Sequence, residues 1–547
     1  MLSSLTMNDQ TTFAELTIGQ RVEQENFRGT IRYLGPVAGT KGEWIGVEWD
    51  DKERGKHSGS HGDTHYFECL FPGTGSFTRL SQKIDIGSSL LAVLKERYVN
   101  VGKNQGDIYI DDKKVEMYDF DRVQERQRKL HLMKNIGLAN TNVRCADDYD
   151  ETQAACGGIE DLDMTSTLIS TWQDVADICA PLTKLGVLRL NRNRFMPLTE
   201  QPQFGASFQS LRCLALNRVY MTWNEVELLE PSIPNLEMLQ FGFNLLQELG
   251  KIDGDASSPV SQQKVKGFAN LQDIHLEGNA FRDWNQILRL SRLPKLKAMD
   301  LIDNKIDQIL APEDPEDFKS LEMLRLNGNT LQDYVSFDRL GLYPSLKTLW
   351  VGSRPVVSKQ GEEDSGDQEV DPRTLIVAKM ERLEHLNGSE VLPKNRLDAE
   401  LYYLKHVAMS TVGMEASAVN ALHPRFEQLC QVHGAPDVSD ESRKATSDML
   451  KDRLIAITFV TKDKVAGPPK TKIQRNVLGT MTVKNLKNLA QKLVKIPAMR
   501  QDLSFVIPDP DYADKTITVR LKDDMRQISF YEIQDGVEII VLDKNKA

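Results

Sequence analysis

The chain has 547 residues, 40 % hydrophobic and 27 % charged, a composition that supports sizeable cores in roughly three to four domains. Its 79 acidic and 68 basic side chains leave a net charge of −11, which argues against a general nucleic-acid binder, because displacing counterions from phosphates needs net positive charge. Apolar runs such as residues 454–460 fall far short of the ~20 residues of a membrane helix, residues 1–10 lack the basic start and apolar core of a signal peptide, and six scattered cysteines without a CxxC pair fit a reducing compartment.

Residues 13–88 are rich in glycine, aromatics and short β-like runs. Their core contains Trp44, Gly46, Val47, Glu48, Trp49 and Asp50, then Gly55, Lys56, His57, Ser58 and Gly59, then Tyr66 and Phe67, then Gly75, Ser76, Phe77, Thr78 and Arg79. On these motifs the segment resembles the CAP-Gly family, small β-rich modules that bind cytoskeletal proteins. The family signature GKNDG stands here as GKHSG, with His57 for Asn and Ser58 for Asp. The resemblance implies a groove for an acidic C-terminal tail that ends in an aromatic residue, as on α-tubulin. In such a groove Gly55 and Gly59 let the backbone approach a peptide closely. Lys56 and Arg79 pair with the tail's carboxylates, and Trp44, Phe67 and Phe77 wall its last side chain. His57 and Ser58 change the signature's side-chain hydrogen bonds and imply an altered affinity. Trp49 and Tyr66 are expected in the core. His57, His61, His65 and Cys69 recur every fourth residue, a spacing that would suit zinc on one face of a helix. Gly55, Gly59 and Gly62 interrupt the stretch, each disfavouring helix by about 1 kcal/mol, so no metal site is expected.

Residues 89–158 read as a linker, with a hairpin over 107–118 and a charged helix over 122–134. Residues 159–404 are a repeat array. The pattern LxxLxLxxN stands at Leu185, Leu188, Leu190 and Asn193, and returns from Leu236, Leu271, Leu296 and Leu321 with Asn244, Asn279, Asn304 and Asn329 in the last place. Weaker copies start at Ile159, Leu211 and Leu346. The starts are 26, 26, 25, 35, 25, 25 and 25 residues apart, the period of leucine-rich repeats. The leucines point inward from one short strand per turn, and the Asn side chain bonds backbone groups that the bend leaves unpaired. The 35-residue step holds a polar insert around 250–264. A solenoid needs its open end covered, and residues 382–404 resemble the cap of intracellular leucine-rich arrays. The acidic run 360–371 reads as a solvated loop. Strand alternation turns Arg189, Asn191, Gln240, His275, Glu277, Asp300, Arg325, Asn327 and Trp350 outward on the concave face. Arg325 and Trp350 stand out, because Arg and Trp carry binding energy disproportionately.

Residues 405–450 read as a helical linker. Residues 451–547 alternate strand-like runs (454–460, 503–507, 517–521, 528–536, 537–542) with a helix over 480–494, where Val483, Leu486, Leu489 and Leu493 keep helical spacing. This order, with the run ISFYEIQDG, resembles a ubiquitin-like domain of α+β, β-grasp type. The chain ends in Lys546 and Ala547 without Gly-Gly, as expected for an embedded domain rather than a conjugated tag. Ser504 falls where ubiquitin carries part of its apolar recognition patch, which argues against generic ubiquitin receptors.

The fold class is thus multidomain: a β-rich CAP-Gly module, an α/β leucine-rich-repeat solenoid and a ubiquitin-like domain. This order, with GKH for GKN, GVEWD, and His423, Pro424, Arg425, Phe426, Leu429, Cys430, Gly434, Ala435 and Pro436 between repeats and last domain, resembles the tubulin-folding cofactor E family of chaperones. The resemblance implies capture of α-tubulin, assembly of the α/β-tubulin heterodimer with cofactors B, D and C and a small GTPase, and dissociation of existing heterodimers. It implies a ubiquitin-like domain that contacts a partner cofactor or the proteasome, and a place in the cytoplasm at the cytoskeleton. A microtubule-tip adaptor would use the same groove but would show coiled-coil heptads, and no sustained heptad run appears. A ubiquitin-pathway adaptor leaves the first module unexplained. No phosphate loop, GxSxG elbow, HExxH or acid/base constellation points to an enzyme, and no cofactor, nucleic acid or membrane is expected as a ligand.

Overall fold

The computed structural model describes residues 13, 16–80, 84–99, 109–110, 113–114, 130–250, 263–352, 371–436, 454–462, 467–478, 481–508, 516–531, 533 and 536–544. The first module is an antiparallel sheet in the order Gly75–Thr78, Glu43–Trp49, Phe27–Pro36, Arg21–Gln24, Ile84–Asp85. Glu25 and Asn26 join two of these strands with both φ angles positive, the tight hairpin turn that matches strand twist. Val22, Ile31, Ile45, Val47 and Trp49 form the core, and Trp49 Nε1 donates to Ser76 Oγ at 2.6 Å.

The array is one 11-stranded sheet. Its strands from Asn135–Gly137 through Asp161–Asp163 to Thr348–Trp350 and His385–Leu386 pair in parallel, and Ser389–Glu390 closes it antiparallel. Leu162, Leu188, Leu214, Leu239, Ile274, Met299, Leu324 and Leu349 stack in register beneath the sheet, each at most 2 % exposed. The Asn ladder bonds as the bend requires. Asn279 Oδ1 accepts from Asn244 N and Leu246 N (2.9 and 3.1 Å), while its Nδ2 donates to Phe241 O and Leu276 O (3.1 and 3.0 Å). Asn193, Asn244, Asn304 and Asn329 repeat the arrangement. The residue before the ladder position turns left-handed in most repeats: Arg192, Phe243, Gly278, Asp303 and Gly328 all have φ between 54° and 74°. Three connecting helices begin Thr-Trp, Thr-Trp and Asp-Trp. In each, the Thr171, Thr222 or Asp283 side chain accepts from the first turn, and Trp172, Trp223 or Trp284 is buried.

Two boundaries move. The span 89–158 is not a free linker, because Asn135–Gly137 is the first rung of the sheet and Leu90, Leu91, Leu94, Leu130, Leu138 and Val143 enter the same core. Ile136 and Leu138 keep inward spacing, but the leading leucines that mark a repeat in sequence are missing. Tyr109–Ile110 and Lys113–Lys114 pair as a hairpin. The expected helix over 122–134 falls mainly outside the described residues, and its end, Leu130–Leu132, is a 3-10 turn. Likewise the helices Pro393–Ser410, Ala416–Leu422 and Phe426–His433 extend the cap rather than link, since Val407, Val419 and Leu429 join the core of the array. Arg425 ties this end together, donating to Ala378 O and lying 3.4 Å from Glu400, and the Tyr403 hydroxyl bonds His423 at 3.2 Å. The acidic run 360–370 and residues 437–450 lie outside the described residues.

The chain divides into two compact units, the second comprising Ala408–Val412 and Gly434–Ala547. In it a sheet ordered Thr471–Leu478, Leu454–Thr461, Glu538–Asp543, Gln501–Pro508, Thr516–Arg520 packs against the helix Val483–Val494. The Thr471–Leu478 strand escaped the sequence reading because it is a largely polar edge strand, with one pairing neighbour and mostly exposed side chains. Residues Ile528–Tyr531 form a 3-10 turn instead of strand. Ser504 is 2 % exposed, so it is not displayed as a recognition patch would be. Among the described residues no helix is long and apolar enough to cross a membrane.

Candidate functional site

The groove of the first module is built on one lateral row of its sheet. Gly46 pairs with Tyr33 on one side and Phe77 on the other. Plain alternation would put Tyr33 on the core face with Ile31. A bulge between Ile31 and Tyr33 reverses it, the way bulges re-aim side chains. Gly46 is required there: a Cβ would come within 2.5 Å of the Phe67 ring. Phe77 is the hub. Its ring centroid lies 5.1 Å from His57, 5.4 Å from Tyr66, 5.5 Å from Phe67, 6.2 Å from Tyr33 and 6.3 Å from His61, the His57 ring tilted and the other four edge to face, distances at which aromatic rings attract.

The GKHSG turn lies along the Gly75–Thr78 strand. Lys56 N and His57 N donate to Gly75 O (2.8 and 3.1 Å), and Gly75 N donates to His57 O at 2.7 Å. Both altered residues serve the turn itself. His57 Nδ1 accepts from Gly59 N at 3.0 Å, and Ser58 Oγ accepts from Gly73 N at 2.9 Å. Accepting at Nδ1 needs a neutral imidazole. Burial, aided by His61 and Lys56, lowers the His57 pKa. Gly59 has φ +100°, and a Cβ there would run into Phe67 O. Gly55 packs as closely on the backbone of Gly73 and Thr74.

At the rim the Arg79 guanidinium sits 4.3 Å from the Trp44 ring centroid, and Arg79 Nη2 donates to Lys41 O at 2.6 Å. Trp44 Nε1 donates to Thr40 Oγ1 at 2.7 Å, and Lys56 is exposed. Tyr66 departs from the sequence reading. It is half-buried in the aromatic cluster, and its hydroxyl accepts from Ala38 N at 2.7 Å. Tyr33 has no signal in the sequence, since nothing in a β-like run announces a bulge, and His61, notable in sequence only for its every-fourth spacing, joins the cluster from a hairpin. The every-fourth histidines lie on no helix: Ser60–His61 and Thr64–His65 form a two-stranded hairpin. An aromatic floor with cations on its rim can take an anionic peptide that ends in a ring.

On the concave sheet Arg189, Ala215, Gln240, His275, Asp300, Arg325 and Trp350 form one continuous in-register row. Asp300 does not face solvent as expected. It is 7 % exposed, because Arg325 folds over it at 3.3 Å and Ile302 N donates to its carboxylate. Arg189 pairs with Asp161. Asn191 is occupied by the neighbouring repeat, accepting from Asn217 N at 2.8 Å. His275 Nε2 lies 3.2 Å from Asp273, and this contact, with Glu277 and Asp300 also near, raises its pKa against burial. Burial pushes the Glu277 carboxyl up. Trp350 leans on Gly388, where a Cβ would sit 2.8 Å from its ring. Asn327 stands in the next outward row with Glu277.

An aromatic cluster with cations beside it, a parallel repeat sheet and a β-grasp domain on one chain have the modular build of a protein-binding scaffold. The family model of the CAP-Gly domain matches residues 18–83, and that of the ubiquitin-like domain matches residues 469–547. The chain is 31 % identical over 527 residues to tubulin-specific chaperone E of Xenopus laevis, covering 94 % of this chain and 96 % of that one. It is 28 % identical over 515 residues to tubulin-folding cofactor E of Arabidopsis thaliana, covering 91 % and 93 %. The chain belongs to the tubulin-specific chaperone E family. Among solved structures, the C-terminal ubiquitin-like domain of mouse tubulin-specific chaperone E aligns at 20 % identity and TM-score 0.14, over 17 % of this chain and 87 % of that one.

Proposed function

We propose that this chain is a non-catalytic tubulin chaperone that holds α-tubulin at two places. The groove around Phe77 takes the acidic C-terminal tail, and the concave row from Arg189 to Trp350 takes the body. The observation that carries this reading is the Tyr33, Gly46, Phe77 row with Lys56 and Arg79 at its rim, because it matches a carboxylate-rich peptide with an aromatic end. The curated relatives, which span nearly the whole chain, bear names that point to tubulin as the client. The half-buried acids Asp161, Asp163, Asp273 and Glu277 stand on the concave face with Arg189, His275 and Arg325, while Asp300 is covered by Arg325. The face is therefore complementary to a basic patch on the body, while the cationic rim suits the tail. Assembly and dissociation of the heterodimer would proceed with cofactors B, D and C and a small GTPase. The ubiquitin-like domain would meet a partner cofactor or the proteasome, in the cytoplasm at the cytoskeleton.

The test mixes the purified protein with native tubulin heterodimer without nucleotide and follows the species by size-exclusion chromatography. A one-to-one complex with α-tubulin, with β-tubulin released, is expected. Binding only to polymerised microtubules would instead mark a tip adaptor. In the same titration Arg325→Ala with Trp350→Ala should weaken α-tubulin binding at least about tenfold, roughly 1.4 kcal/mol. Unchanged affinity removes those two residues from the contact.

A further inference from the structure

The peptide-binding module is not a bead on a string. It is fastened to the first turns of the array by contacts of three kinds. Arg28 donates to Ser166 O, to Ser166 Oγ at 3.0 Å and to Asn142 Oδ1 at 3.1 Å, and its side chain is only 11 % exposed. Asn142 in turn donates to Asp85 of the module. Phe71 meets Tyr220 edge to face at 5.2 Å, and the Arg194 guanidinium covers the Tyr220 ring at 4.2 Å. At Gly19, whose φ is +91°, Met196 lies so close that a Cβ would sit 2.8 Å from its methyl.

Electrostatics follow the same line. Burial works to raise the Asp50 pKa, but Arg21, which grips it with two hydrogen bonds, and Arg194 of the array together hold it below the usual carboxylate range. Asn142, Arg194 and Tyr220 follow the first, third and fourth strands of the array, and Ser166 follows the second. With Ser166 they offer the module a seat about 15 Å long, from strands spaced about 4.8 Å apart. None of these residues belongs to the Phe77 cluster or to the concave row, so the seat leaves both free.

We propose that Arg28, Phe71, Arg194, Met196 and Tyr220 are positioning residues. They lock the groove at one attitude to the concave face, so that tail and body of a single client are captured together. The idea rests on the two-site reading above. A rigid seat raises the effective concentration of the second site once the first is filled, whereas a free tether dilutes it.

The test compares the full chain with Arg28→Ala/Tyr220→Ala and, separately, with Met196→Glu. Three measurements are made: small-angle X-ray scattering, affinity for a synthetic hexaglutamate peptide ending in tyrosine, and affinity for tubulin heterodimer. Release of the module should lengthen and broaden the interatomic distance distribution. Peptide affinity should stay within about twofold, which also shows the groove still folded, while tubulin affinity should fall about tenfold to a hundredfold. A scattering profile identical to wild type overturns the lock. A released module with undiminished tubulin affinity overturns its role in capture. If the wild-type chain itself holds no tubulin, the function reading fails, and the scattering still decides the lock.

Discussion

His57 shows how a histidine in the GKHSG turn ties its geometry to a protonation state. The turn needs an acceptor for Gly59 N–H, and an imidazole supplies it only through an unprotonated Nδ1. Its pKa is lowered, so the unfolded chain takes up a proton first as pH falls. Stability of the module is therefore full above about pH 6.5, the ordinary histidine value, and declines as pH drops below it. An NMR titration of the His57 ring should give a midpoint below that of free histidine, and His57→Asn should flatten the acid slope of thermal unfolding. A midpoint at or above the free value would show that Nδ1 is not the acceptor. His275 shifts the opposite way through Asp273, so its contribution is present below about pH 6.5 and fades as pH rises through its raised pKa. Phe77 is the central ring of the aromatic cluster. Phe77→Ala should cost at least about tenfold in affinity for the tyrosine-ended acidic peptide, roughly 1.4 kcal/mol. Emission from buried Trp49 would show whether the module stays folded, and undiminished peptide affinity would take Phe77 out of the site.

At the scale of elements, three-residue strands such as Val187–Arg189 and Met238–Gln240 are too short to stand alone, and the array survives by stacking. The Asn ladder is what lets each turn bend without stranding backbone groups. Removing the Asn279 side chain leaves the N–H groups of Asn244 and Leu246 and the carbonyls of Phe241 and Leu276 without that partner. Since an orphaned buried polar group costs about 1–3 kcal/mol, Asn279→Ala should lower stability by at least that much in urea unfolding. A change within about 0.5 kcal/mol, the range of ordinary surface substitutions, would show that the bend does not depend on it. This rule was legible in the sequence because it depends on residue type at fixed spacing. The first rung, Asn135–Gly137, was not, because its leading leucines are missing. The cap helices to His433 were read as a linker because what holds them, Arg425 on Ala378 O and Glu400, joins residues 25 and more positions apart.

At the scale of the whole molecule, the two proposed binding faces differ in electrostatic character: a cationic rim around an aromatic floor, and a concave sheet that carries Asp161, Asp163, Asp273 and Glu277. On the two-site proposal, the seat of the first module on the array would make these faces one device rather than two. The order of modules, the repeat period, the Asn ladder and the groove's signature residues were all determined by the sequence itself, because each is a local rule of spacing or side-chain type. Tertiary structure alone decided the rest. A bulge turned Tyr33 into the groove, Arg325 folded over Asp300 and took it out of solvent, and the cap grew past its apparent end. Arg28 reached across 138 positions to Ser166. Each depends on which distant groups share a surface, and pairing between residues that far apart leaves no periodic trace in the chain.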